Sequence, residues 1–166
     1  AFLQGRLDVG EAMAPPVIRA VLEAAPAEGV VVIDAPPGTS CPVIAAVKAA
    51  DVAVLVTEPT PFGLNDLKLA VEMVRELGVQ FGVIVNRAGM GDRAVFDYCL
   101  EEQIPVLLLI PEDRRVAQAY SRGELCANAL PELKPRLSGL YAKLRELARG
   151  PRPPRAMNPV PSGKER

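Results

Sequence analysis

Four short apolar runs, residues 30–34, 52–57, 81–86 and 105–110, punctuate the chain, and each ends in polar, turn-forming residues. Runs of this length, rich in Val, Ile and Leu and apolar on both faces, read as strands of a parallel sheet buried on both sides. Stretches with helical spacing stand between them: residues 11–24, 42–50, 63–77, 92–102, 113–122 and 131–148. In 63–77, Leu64, Leu67, Val71, Val74 and Leu77 recur close to the 3.6-residue period and define one apolar face. Strand and helix in alternation specify an α/β fold, a parallel sheet flanked by helices. Such sheets bind ligands beyond the C-terminal ends of their strands.

Composition narrows the chemistry. The 166 residues carry a formal net charge of -1, so no global field draws in nucleic acid or an anionic membrane. With 0 histidines, imidazole acid–base catalysis and His metal sites are excluded within this sequence. The 3 cysteines, Cys41, Cys99 and Cys126, form no CxxC pair, which removes a self-contained zinc or iron–sulfur motif. Their odd number and wide spacing fit a reducing cytoplasm. Cys99 falls on an expected helix, and both Cys99 and Cys126 read as packing residues. Residues 1–148 are expected to form the folded unit, and the proline-rich residues 149–166 a solvated tail.

The functional signal lies in the turn after each run. Asp34-Ala35-Pro36-Pro37-Gly38 succeeds the first, Thr57-Glu58-Pro59-Thr60 the second, Asn86-Arg87-Ala88-Gly89 the third and Pro111-Glu112-Asp113 the fourth. An apolar strand ending in Asp34 has the Walker B arrangement, in which the carboxylate reaches the water shell of a nucleotide-bound Mg²⁺. Pro36 and Pro37 stiffen the exit, and Gly38 lets a free N–H approach a terminal phosphate. A helix beginning near Cys41 and Pro42 points its positive end at the same place. Asn86 carries both a donor and an acceptor, as a purine edge requires, or serves only as a turn residue before Gly89. Cys41, at a helix N-terminus that favours an anion, reads either as a metal ligand or as a small residue packed at the helix start.

The stretch from Asp34 to Gly78, with VIVNR and IPED further on, resembles the MinD/ParA/Mrp group of deviant-Walker P-loop ATPases. The subgroup whose ATPase domain holds an inserted ferredoxin-like segment is the nearer match, and the resemblance runs over about residues 5–148. It implies a P-loop NTPase fold of SIMIBI type, bound ATP and Mg²⁺, a homodimer around the nucleotide, and a redox or assembly protein as partner. It implies roles as well. Asp34 orients Mg²⁺ through water, and Gly38, with Pro37 before it, meets the γ-phosphate. Asn86 bonds adenine, and the Pro111-Glu112-Asp113 loop borders the base. The related nitrogenase iron protein has a cluster-ligating Cys at the position of Cys41, which keeps an iron–sulfur carrier or electron-transfer ATPase open as an alternative. A non-catalytic adaptor is a third reading.

One departure from the group is large. No G-x-x-x-x-G-K-[ST] loop occurs in these residues. The expectation is therefore a C-terminal portion of such an ATPase, inactive alone, with any cluster module lying upstream. In the group the P-loop strand lies between the strands corresponding to 30–34 and 52–57, so a gap is expected there. The terminal helix 131–148 has a leucine stripe and a basic opposite face, which reads as packing on the sheet in preference to a membrane surface.

Overall fold

The computed structural model describes residues 1–6 and 15–151; part of the expected first helix and most of the proline-rich tail lie outside them. The order is α1 (Pro15–Glu23), α2 (Cys41–Lys48), β1 (Val52–Thr57), α3 (Pro61–Leu77), β2 (Gln80–Ala88), α4 (Ala94–Glu101), β3 (Val106–Pro111), α5 (Arg114–Ser121), α6 (Cys126–Ala129) and α7 (Leu133–Arg149). Three strands pair in the order β1-β2-β3, all parallel. Val54 faces Gly82 and Val56 faces Ile84 in the first ladder, and Ile84 faces Leu108 in the second. This is the parallel sheet flanked by helices that the runs predicted.

The core lies on one face of the sheet. Leu67 and Val71 of α3, Val95 and Cys99 of α4, and Val83 and Val85 of β2 are buried together. Val43 of α2 joins Ala53, Met73, Val74 and Val79 in an adjoining cluster. Thus α2, α3 and α4 cover the same face, as right-handed crossovers require when successive strands are added in one direction. Helix α7 packs on the sheet and buries Leu133, while Leu137 of its apolar stripe stays 39% exposed.

Local chemistry explains the boundaries. Helix α3 starts at Pro61 because the Thr60 hydroxyl accepts from the Gly63 N–H at 3.0 Å. It stops at Gly78, whose φ of 65° is left-handed. Gly82 lies where an added Cβ would come within 2.6 Å of the Leu107 side chain, so strand β2 can only pass there as glycine.

Three expectations need correction. Residues 30–34 are not a paired strand; they have no regular secondary structure and no ladder, with Val30 65%, Val31 45% and Val32 90% exposed. Pairing needs a neighbour, and among the described residues β1 bonds only to β2 and no strand lies bonded to residues 30–34. Ile33 and Val54 are not on adjoining paired strands, in keeping with the expected gap. Cys126 is exposed on the short α6 and is not a packing residue, whereas Cys99 is buried as expected. Cys41 is exposed, which removes the reading of it as a packed helix-start residue.

Candidate functional site

The loops after β1, β2 and β3 meet at one rim and are fastened to each other. Arg87, held at φ 53°, donates from Nε to Glu112 at 2.8 Å and from a terminal nitrogen to Glu58 at 3.4 Å. One side chain thereby spans the ends of all three strands. The hydrogen bond and charge of Glu112, and then the charge of Glu58, hold the Arg87 guanidinium above its ordinary pKa. Backbone contacts reinforce the clasp. The Glu112 N–H donates to the Ala88 carbonyl at 3.2 Å, and Ala88 pairs with Pro111. Gly91 lies against the Pro59 carbonyl, where no Cβ would fit. Buried Thr57 donates to the Gly63 carbonyl at 2.9 Å and ties the end of β1 to α3.

Asn86, half-buried near the end of β2, therefore stands on the same rim as Pro111, Glu112 and Asp113. Within that loop both carboxylates are already engaged. Glu112 answers Arg87. Asp113 caps α5, accepting from the Arg115 N–H at 2.8 Å and from the Arg115 guanidinium. Those bonds hold the Asp113 carboxyl below its usual range. The groups left free to meet a ligand are backbone, together with the Asn86 amide.

The other group of candidates is carried by the segment leading into α2. Asp34 and Pro37 are exposed, and no hydrogen bond or ion pair engages the Asp34 carboxylate among the described residues. Gly38 has φ 90° with open space about it, so backbone conformation rather than crowding calls for glycine. Ser40 precedes α2 without a side-chain cap bond, which leaves the first amides of α2 to water or a ligand. Cys41 opens that helix. No hydrogen bond or ion pair links this segment to Asn86 or to the Arg87 clasp among the described residues.

The residues fit a magnesium nucleotide in part: an unengaged carboxylate, a glycine N–H in open space and uncapped helix amides are the donor and acceptor set that phosphates and a hydrated cation use. An iron–sulfur cluster within one chain is not supported, since no group of three or more Cys, His, Asp or Glu that could hold a metal occurs among the described residues. A concavity between α5 and α6, lined by Arg115, Gln118, Arg122 and Asn128, is separate from these candidates. Its guanidinium groups are spoken for by Asp113, Glu132 and Glu124.

Arg87 was missed by sequence reasoning as a clasp. It was visible only as part of VIVNR; its left-handed backbone and its reach to two loops are tertiary properties.

No family model matches the chain. Among curated proteins, an uncharacterised protein of Methanocaldococcus jannaschii is 34% identical over 93 residues, 56% of this chain and 31% of the relative. A second uncharacterised protein of that organism is 28% identical over 148 residues, 87% of this chain and 51% of the relative. A cytosolic Fe-S cluster assembly factor NUBP2 homolog of Culex quinquefasciatus is 29% identical over 123 residues, 61% of this chain and 46% of the relative. The chain thus spans about a third to a half of the length of the curated relatives it matches. Among solved structures, the Pyrococcus furiosus cell division ATPase MinD matches with a TM-score of 0.64 at 24% identity, over 80% of this chain and 59% of that one. The Pyrococcus horikoshii septum site-determining protein MinD, complexed with Mg-ADP, matches with a TM-score of 0.55 at 26% identity, over 81% and 53%. The sheet and its helices have the fold of MinD-type P-loop NTPases.

Proposed function

We propose that this chain is the magnesium- and γ-phosphate-sensing portion of a MinD/ParA-type ATPase that dimerises around MgATP and passes the change to a redox or assembly partner. One observation carries the reading: Asp34, with no partner among the described residues, a left-handed Gly38 and the uncapped start of α2 follow one another in the segment before β1 of a chain with the MinD fold. Ligands of such sheets bind beyond the C-terminal ends of the strands, where the loops after β1, β2 and β3 lie.

The division of labour follows from the residues. Mg²⁺, when bound, neutralises phosphate charge, and Asp34 is the carboxylate available to hold its water shell. The Gly38 N–H, free of side-chain crowding, donates to the terminal phosphate, and the α2 amides add a positive dipole end. Asn86 takes the adenine edge as donor and acceptor. Pro111, Glu112 and Asp113 border the base through backbone, because their acids are occupied elsewhere. The Arg87 clasp keeps these loops at one spacing. The attacking water and the phosphate lysine are left to a P-loop, absent from these 166 residues.

A second reading, an iron–sulfur carrier ATPase, is favoured by the exposure of Cys41 and by the similarity to the assembly-factor homolog. With Cys41 the single thiol of this segment, the reading needs a cluster shared by two copies.

Equilibrium binding of a fluorescent adenine nucleotide with magnesium tests the main reading. Parent chain binds weakly, a guanine analogue binds less well, and Asn86→Ala abolishes the difference. Equal binding of the two nucleotides by parent chain contradicts the base assignment.

A further inference from the structure

Two arginines brace the loop after β3. From β2, Arg87 donates from Nε to the Glu112 carboxylate at 2.8 Å and from a terminal nitrogen to Glu58 at 3.4 Å. From α5, Arg115 donates to Asp113 at 2.7 Å and to Glu132 at 2.8 Å. Both acids of the Pro111-Glu112-Asp113 loop are therefore held by guanidinium groups. The braces differ in what sustains them. Asp113 also accepts from the Arg115 N–H at 2.8 Å, as the cap of α5. The Glu112 carboxylate has no partner besides Arg87 among the described residues. Arg87 alone thus decides whether that carboxylate is free. The arginine sits at φ 53°, a left-handed backbone that is strained for it, and strain of this kind gathers at functional sites. Glycine would relieve the strain; what arginine adds is the guanidinium.

The chemistry of the bases gives the engagement a consequence. An ionised carboxylate only accepts hydrogen bonds. The Watson–Crick edge of guanine presents two adjacent donors, N1–H and the N2 amino group, a bidentate match for it. Adenine presents one donor, its N6 amino group, beside an N1 lone pair that a carboxylate repels. A free carboxylate on a loop bordering the base favours guanine. From the hold of Arg87 on Glu112 we infer that Arg87 is a positioning residue that sets base specificity: it draws the Glu112 carboxylate toward β2, withdraws the group that would accept guanine, and leaves the backbone of the loop to adenine. Arg87 acts through Glu112 and needs no contact with the nucleotide. The inference rests on the assignment of the base to Asn86 and the Pro111-Glu112-Asp113 loop.

The experiment measures binding of matched fluorescent ADP and GDP analogues, with magnesium, to three chains: parent, Arg87→Gly, and Arg87→Gly combined with Glu112→Ala. Glycine accepts the left-handed backbone at position 87, and alanine keeps the backbone of the loop while removing the acid. Far-ultraviolet circular dichroism checks that each is folded; if Arg87→Gly is not, Arg87→Asn, which tolerates the same backbone, takes its place. Parent chain prefers the adenine analogue. In Arg87→Gly the guanine analogue binds more tightly and the preference falls about tenfold, within the discrimination of one bidentate pair. In the double variant the preference returns. A brace that only supports the fold weakens both analogues alike in Arg87→Gly, and that result overturns the inference. So does a preference that stays lost once Glu112 is removed. Equal binding of the two analogues by parent chain overturns the base assignment itself, and the inference with it.

Discussion

Truncating one valine in each of two apolar runs separates the run that builds the core from the run that lies exposed. Val83 of β2 is fully buried, whereas Val32 is 90% exposed. Valine to alanine removes about two methylene equivalents, roughly 1.6 kcal/mol of transfer free energy when the site is dry. The space left behind raises the cost of Val83→Ala to about 2–3 kcal/mol. Val32 keeps only about a tenth of that burial, so Val32→Ala falls within the roughly 0.5 kcal/mol band of surface changes. Urea unfolding followed by circular dichroism reads both values. In a chain of this size the thermal midpoint drops by roughly 5–10 °C for Val83→Ala and by about 1 °C or less for Val32→Ala. A cost above about 1 kcal/mol for Val32→Ala refutes the reasoning, because it means that residues 30–33 have closed onto β1 in the isolated chain.

Further outcomes rest on single contacts. Thr60→Ala removes the cap on α3 and lowers stability by about 1 kcal/mol in the same assay, while Thr60→Ser retains most of it. Asp113 carries a depressed pKa through its bonds to Arg115, so the stability it gives is complete above its unfolded value and is lost as pH falls through the lower folded one. A carboxyl-carbon NMR titration therefore shows a midpoint below 3.8 that returns toward 3.8 in Arg115→Ala; an unmoved midpoint counts against the cap. Burial raises the Cys99 thiol, so native chain reacts with a thiol reagent at Cys41 and Cys126 and yields the third equivalent only in denaturant. Magnesium-dependent phosphate release by the chain alone stays at background, and release that Asp34→Ala removes contradicts the need for a P-loop.

The legible part of the fold was the part whose physics is local or periodic. Residues 52–57 read as a strand from a short, valine-rich apolar run, and β1 occupies the same six residues. The 63–77 stripe predicted α3, and the structure buries Leu67, Val71 and Val74 from it. The short α6 was missed, since four residues carry no period. Val30 to Ile33 has the same strand chemistry as β1, yet pairing is a relation between two segments, and among the described residues none pairs with it. At the site, the rim loops were legible because turn residues succeed each run. The clasp was not, because nothing in the order of residues says that Arg87 turns left-handed and reaches Glu58 and Glu112. Cys126 looked like a packing residue because a single cysteine between expected helices says nothing about which side faces the core.

The central proposal is that nucleotide binds with its base at Asn86 and the loop after β3 and its phosphates at Gly38. The direct measurement is a two-dimensional NMR titration of the isotope-labelled chain with Mg-ADP to several times a dissociation constant of about 1 mM, an affinity near −4 kcal/mol. The account predicts shifts concentrated at Gly38, Asn86, Arg87, Glu112 and Asp113, abolished together by Asn86→Ala while the spectrum otherwise stays folded. Shifts gathered instead at Arg122 and Asn128 between α5 and α6, or none at the rim, contradict it.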